Sequence, residues 1–211
     1  MLENHFYHIY NRGNNRETIF KEEKNYQYFL EKFDEYLGNL LDVYAYCLMP
    51  NHFHFLVKTK SDFRSLNGEL RFPNSNDQIT NSKYIQSKNS EISFAEVYTK
   101  AFKDFFICYS KSINNAYNRT GSLFQPKFKR KIITDSNHLS GIFPYIHNNP
   151  LRAGLVKRNE DWIFSSYLDY LNDKIEIDKA NFVYSLYGSK EKFIEFHKDY
   201  SDYQKQRDYL F

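Results

Sequence analysis

Cysteine is scarce, long apolar runs are missing and the charges nearly cancel; each shortage removes a class of protein. The two cysteines, Cys47 and Cys108, stand far apart and neither belongs to a C-x-x-C pair. Neither a disulfide framework nor a thiolate zinc site is implied. No window approaches the roughly 18 apolar residues of a membrane span. Met1-Leu2-Glu3-Asn4-His5 also lacks the basic start and apolar run of a signal peptide, so a cytoplasmic protein with no membrane partner is expected. With 29 basic against 26 acidic side chains the formal charge is only +3, which does not by itself announce nucleic acid. The distribution of those charges along the chain has to carry that argument. Tryptophan is present once, yet aromatics make up 19% of the chain, as 20 Phe and 19 Tyr. Such residues fill cores, and they also stack on bases. A length of 211 residues suits one well-buried domain with embellishments.

What is there is organised around Tyr44-Ala45-Tyr46-Cys47-Leu48-Met49-Pro50-Asn51-His52-Phe53-His54-Phe55-Leu56-Val57-Lys58, two strands meeting at a tight Pro50-Asn51 turn. Side chains alternate along a strand, so His52 and His54 share a face about 6.7 Å apart while Phe53, Phe55 and Val57 face the other way. Two imidazoles so placed can reach one cation, and neutral imidazole suits many divalent metals. Half-exposed histidines without a task would give the same pattern.

Before the hairpin, His5-Phe6-Tyr7-His8-Ile9-Tyr10-Asn11 alternates as a first strand. From Lys21 to Leu41 the apolar set Tyr26, Phe29, Leu30, Phe33, Tyr36, Leu37 and Leu40 steps as one helix face. Residues 60–93 are polar, without a period, and read as an insertion. Ser93 and Glu96 then form a capping box ahead of a long amphipathic helix that stops at Asn118-Arg119-Thr120-Gly121. Ser122 to Ile133 alternates as a strand, with Lys127, Lys129 and Lys131 as a basic ladder on one face and Phe124, Phe128 and Ile132 on the other. With Arg119 nearby this is a candidate phosphate track, although such a run is often just a solvated face. Asp135 or Ser136 caps a helix expected to reach Asn149, and Asn149-Pro150 ends it. The order strand, helix, strand, strand, helix, strand predicts an α+β, ferredoxin-like split βαβ antiparallel sheet with helices on one face. Residues 1–170 form that domain, and 171–211 a C-terminal helical extension packed on it.

Tyr145 and Asn149 stand at i and i+4 of the last predicted helix, so a phenol nucleophile and an amide oxygen ligand can approach the same point. By itself Y-x-x-x-N is a weak pattern. Tyr117, near the end of the long helix, is the rival nucleophile, and His147 reads as structural.

Leu48-Met49-Pro50-Asn51-His52-Phe53-His54 resembles the histidine-hydrophobe-histidine (HUH) motif of single-tyrosine transposases, in particular their REP-associated branch. Arg12-Gly13, Gly121-Ser122-Leu123-Phe124-Gln125 and Tyr145-Ile146-His147-x-Asn149-Pro150-x-Arg152-Ala153-Gly154 extend the resemblance from about Phe6 to Tyr170. It implies metal-assisted cleavage of single-stranded DNA beside a hairpin, a 5′-phosphotyrosine link at Tyr145, a free 3′-OH, and rejoining by the reverse attack. His52, His54 and Asn149 would hold one Mg²⁺ or Mn²⁺. Arg12, Arg119, Lys127, Lys129, Lys131 and Arg152 would hold DNA phosphates. Pro144, immediately before Tyr145, departs from a regular helix interior, and the 60–93 insertion exceeds what the compact family pattern needs. Whether the tyrosine helix serves its own chain or a partner's in a homodimer stays open. Two other classes share parts of the pattern: a non-catalytic single-stranded nucleic-acid binder, and a metal-dependent phosphohydrolase using water.

Overall fold

The structure is a computed structural model that describes residues 1–60 and 94–207. The polar stretch expected as an insertion, with its Ser93 capping position, lies outside the described residues apart from Lys60. Four strands form one antiparallel sheet: β1 (Phe6–Arg12), β2 (Leu41–Met49), β3 (His52–Thr59) and β4 (Lys129–Ile133), in the order β2-β3-β1-β4. Between β1 and β2 runs α1 (Glu23–Leu37), and between β3 and β4 runs α2 (Phe94–Ala116). This is the ferredoxin-like order expected from the sequence.

Alternation and the 3.6-residue period together build the first core. Tyr7, Ile9, Phe53, Phe55 and Val57 are buried on one sheet face, under Phe29, Phe33 and Leu37 of α1 and Phe102, Phe105 and Tyr109 of α2. The Phe33 ring stacks on Phe55 at 4.2 Å, and Phe29 meets Phe53 at 5.1 Å and Phe105 at 4.9 Å. α1 ends where Gly38 donates its N–H to the Asp34 carbonyl. A Cβ there would lie 2.6 Å from that carbonyl oxygen, so the turn requires glycine.

The other sheet face is covered too, which adds a layer to the expected pair of helices. Ala45, Cys47, Met49 and Leu56 are apolar on this side, so the sheet has two faces to bury. Over them lie α3 (Ser136–His147), the single turn α4 (Asn149–Arg152), and the later helices α5 (Tyr167–Leu171), α6 (Ile177–Ser185) and α7 (Lys190–Arg207). Leu139, Ile142, Phe143 and Ile146 of α3 pack with Tyr167, Tyr170, Val183 and Phe193. No helix among the described residues is long and apolar enough to cross a membrane.

Two boundaries differ from the sequence reading. The strand expected from Ser122 starts only at Lys129. Pro126 has no N–H for a ladder, and the preceding segment instead crosses to the end of β1, where Gln125 N–H donates to the Arg12 carbonyl at 3.0 Å. Lys127 is therefore in a loop and not on the strand with Lys129 and Lys131. The last helix of the pattern closes at His147, and Asn149-Pro150 begins a separate turn.

Pro144 sits inside α3 and cannot donate to the carbonyl four residues before it, that of Ser140. The Tyr187 hydroxyl donates to that carbonyl instead, so the gap in the ladder is closed from the C-terminal part of the chain. Tyr187→Phe leaves the carbonyl without this partner and is expected to lower stability by about 1–3 kcal/mol. Urea unfolding measures this; an unchanged midpoint would show that the bond is dispensable.

Candidate active site

The register of the sheet assembles the site. Arg12 lies opposite His52, Tyr10 opposite His54 and His8 opposite Leu56, while Met49 and Cys47 flank the two hairpin histidines from β2. Paired residues share a face, so His8, Tyr10, Arg12, His52 and His54 all point toward α3. The His52 and His54 rings are 5.2 Å apart and nearly perpendicular. Each uses its Nδ1 within the protein: that of His52 meets Asn51 Oδ1 at 2.6 Å, and that of His54 meets His8 Nε2 at 2.9 Å.

α3 sets the nucleophile candidate against this face. Asp135 caps the helix by accepting from the His138 N–H at 2.7 Å. Its far end is tied to α7, where His147 Nδ1 meets His197 Nε2 at 2.9 Å and Asn148 Nδ2 donates to the His197 carbonyl at 3.0 Å. Between these anchors the Tyr145 ring stands edge-on to His54 at 5.6 Å and to His8 at 5.7 Å. One turn later, Asn149 Nδ2 donates to the carbonyls of Tyr145 at 2.8 Å and Ile146 at 3.3 Å. That leaves its amide oxygen free of those two bonds and beside His52.

Tyr145, His52, His54 and Asn149 line a cleft of about 1020 Å³, together with Arg12, Arg152, Lys129, Lys157 and Gln125. The Arg152 guanidinium lies 5.7 Å from the centre of the Tyr145 ring. The Arg12 Nε is buried with no hydrogen-bond partner among the described residues, a donor ready for an anionic ligand.

Burial, more than any neighbour, keeps the imidazoles neutral. It pushes His52 down to about 4, with the Arg12 charge adding to it. His8 falls to about 3, through burial first and then the charges of His138 and Lys131. His54 lies well below its ordinary value, again through burial first, with His8, His52, Arg152 and Arg12 contributing. Neutral imidazole is the form that ligates a metal. Among the described residues no group of three or more His, Cys, Asp or Glu is arranged to hold one. A site here has to be two imidazoles and the Asn149 amide oxygen. With both Nδ1 atoms engaged and Asn149 beside His52, that donor set suits a divalent ion and leaves positions for phosphate oxygens.

Of the residues expected in the site, Tyr145, His52, His54, Asn149, Arg12 and Arg152 converge. Lys129 lines the cleft, Lys131 is exposed on the same sheet face opposite His8, and exposed Lys127 precedes the strand. Arg119 does not join them. Its guanidinium is bound to Glu17 and to Asn114, so it braces the loop after β1 and is not free to hold a phosphate. Tyr117, the rival tyrosine, bonds Glu22 at 2.7 Å and Asn25 at 3.0 Å at the start of α1. Sequence reasoning missed His8, Tyr10, Gln125 and Lys157. For the first two a signal existed: His8, Tyr10 and Arg12 repeat every second residue, as His52 and His54 do.

The buried His147–His197 pair gives the fold a pH dependence away from the cleft. Burial pushes His197 down to about 3 and His147 well below its ordinary 6.5, the latter with help from His197. Both take up protons in the unfolded chain before they do in the folded one. Their stabilisation is thus complete above about pH 6.5 and is lost as pH falls toward the folded values, at roughly 1.4 kcal/mol per pH unit for each histidine. Urea midpoints at pH 7.5 and 5.5 should differ accordingly; equal midpoints would sink the argument.

Comparison with known proteins identifies a family. The family profile described as IS200-like transposase matches residues 1–149, which hold β1 to α3, both hairpin histidines, Tyr145 and Asn149. A Haemophilus influenzae protein provisionally named a REP-associated tyrosine transposase is 24% identical over 123 residues, 58% of this chain and 57% of that protein. The match therefore spans little over half the relative's length. Among solved structures, that of a REP-associated tyrosine transposase bound to a REP hairpin aligns with a TM-score of 0.53 at 16% identity. It covers 83% of this chain and 84% of that one. At that identity the likeness is one of fold.

Proposed function

The chain belongs to the IS200-like transposase family, and from that premise we propose that it is a metal-dependent, single-tyrosine DNA strand transferase of the REP-associated kind. It acts on single-stranded DNA next to a hairpin. The observation that carries this reading is the placing of Tyr145 edge-on to His54, 5.6 Å between ring centres, with Asn149 one turn later beside His52.

The Tyr145 phenol oxygen attacks the scissile phosphorus, the new O–P bond replaces the bond to the 3′ oxygen, and the 3′ oxygen leaves as a hydroxyl after gaining a proton. The 5′ side of the break stays on the tyrosine. Attack by another 3′-OH reverses the step and restores the phenol, so strands are rejoined without an external energy source. His52, His54 and Asn149 would hold a divalent ion, which would supply positive charge to offset that of the phosphate. Arg12 and Arg152, both lining the cleft, hold the phosphate as cations.

The strand lysines extend this cationic surface along β4. If they track the backbone of single-stranded DNA, Lys129→Ala with Lys131→Ala should lower the slope of log affinity against log salt by about 1.4, at about 0.7 per contact. An unchanged slope in fluorescence anisotropy would move the track elsewhere.

The reaction is tested by incubating the purified protein with Mn²⁺ and end-labelled single-stranded DNA carrying a hairpin, followed by a denaturing gel. The expected product is a protein–DNA adduct carrying the 5′-phosphate side, with a free 3′-OH on the other fragment. Cleavage without an adduct would favour a water-using phosphohydrolase. Binding without cleavage would favour a nucleic-acid binder.

A further inference from the structure

We propose that His8 is a positioning residue for the metal site: it accepts the Nδ1 proton of His54 and so holds that ring in the tautomer whose Nε2 lone pair faces the cleft. This rests on the two-histidine metal site proposed above and adds to it a third imidazole that touches neither ion nor DNA.

The geometry leaves two arrangements. His8 Nε2 and His54 Nδ1 are 2.9 Å apart, so one proton lies between them. If His8 donates it, neutral His54 carries its own proton on Nε2 and presents an N–H, which binds no cation. If His54 donates it, Nε2 is a lone pair. Arg12 and Arg152 line the same cleft as His54, and in a cleft carrying two guanidiniums a lone pair on the second ring nitrogen is favoured over an N–H.

His52 supplies the comparison. Its Nδ1 faces Asn51 Oδ1 at 2.6 Å, and the Asn51 amide is oriented by its own Nδ2 donating to the Arg16 carbonyl at 3.2 Å. An amide oxygen can only accept, so His52 carries its proton on Nδ1. His8 gives His54 the acceptor that Asn51 gives His52. Ligating histidines commonly have such a partner on the second nitrogen, and it fixes both tautomer and ring direction.

The rings are also held in place. His8 and His54 are each 6% exposed, their rings stack at 5.1 Å, and Tyr10 stacks on both, at 4.8 Å from His8 and 5.6 Å from His54. Neither ring can turn away without disturbing the other or Tyr145. Packing alone would need the ring but not its nitrogen, which separates the two roles experimentally.

Mn²⁺ binding to the full chain without DNA is read by the electron paramagnetic resonance of free Mn²⁺. His8→Phe keeps a ring and removes the acceptor, and is expected to weaken Mn²⁺ binding about 10- to 100-fold. His8→Gln places an amide oxygen near the lost nitrogen and should recover most of the affinity. Wild-type affinity in His8→Phe, or equal weakness in both variants, overturns the proposal. His52→Ala with His54→Ala is the control. If that pair binds Mn²⁺ like wild type, the metal site itself is misplaced and His8 falls with it; if the pair loses Mn²⁺ while His8→Phe does not, only His8 falls. Should His8→Phe fail to fold, long-range ¹H–¹⁵N spectra of the wild-type imidazoles decide. A protonated Nδ1 on His54 supports the assignment, and a protonated Nε2 overturns it.

Discussion

Tyr145→Phe is expected to abolish both DNA cleavage and the covalent adduct while leaving the fold and hairpin binding in place. The substitution removes one oxygen and keeps the ring. The edge-on contacts with His8 and His54 and the guanidinium of Arg152 beside the ring need only the aromatic system. Without the phenol oxygen no O–P bond can form, and the loss should be on the order of 10⁶-fold, the scale for deleting a nucleophile. The phenol has a reference pKa near about 10 and must lose its proton as it attacks, which cationic surroundings assist. Tyr117→Phe is the matched control. It loses hydrogen bonds to Glu22 and Asn25 at the start of α1 and should still form the adduct. The assignment is falsified if Tyr145→Phe forms the adduct and Tyr117→Phe does not.

His52→Ala combined with His54→Ala should reduce cleavage to the level of wild-type protein in EDTA, with DNA binding largely retained. The two imidazoles are the only nitrogen donors in the proposed ligand set, and Asn149 cannot hold a divalent ion alone. Arg12, Arg152, Lys129 and Lys157 remain to bind phosphate. Cleavage rates across a Mn²⁺ titration, paired with anisotropy for DNA binding, separate the two effects. A double variant that cleaves at the wild-type rate, or a wild type indifferent to chelation, would remove the ion from the reaction. A double variant that no longer binds DNA would instead mean that the histidines hold the cleft's shape.

Some of this was decided by local chemistry and is legible in the chain. Two-residue alternation in Phe6–Arg12 and His52–Thr59 sorts the side chains into two faces whatever the rest of the protein does. The 3.6-residue period puts Phe29, Phe33 and Leu37 on one side of α1, and the four-residue spacing keeps Asn149 next to Tyr145 across the junction of α3 and α4. These relations hold because they follow from backbone geometry over a few residues. The ferredoxin-like order follows in turn from the sequence of such elements along the chain.

What the tertiary structure alone decided are the meetings between distant segments. Alternation places His8 on a face, but only the antiparallel register of β1 against β3 brings its ring to His54. A basic residue near a lysine ladder looks like a phosphate contact until Glu17 is found beside Arg119. Lys127 shares the period of Lys129 and Lys131, yet the path of Gln125 and Pro126 to the end of β1 takes it off the strand. Pro144 reads as a break, and Tyr187, from beyond α6, supplies the missing donor. The second helical layer likewise depends on which apolar surfaces find each other. Local steric and hydrogen-bond rules fix the direction in which each side chain leaves its own element; only the packing of remote surfaces fixes what it meets.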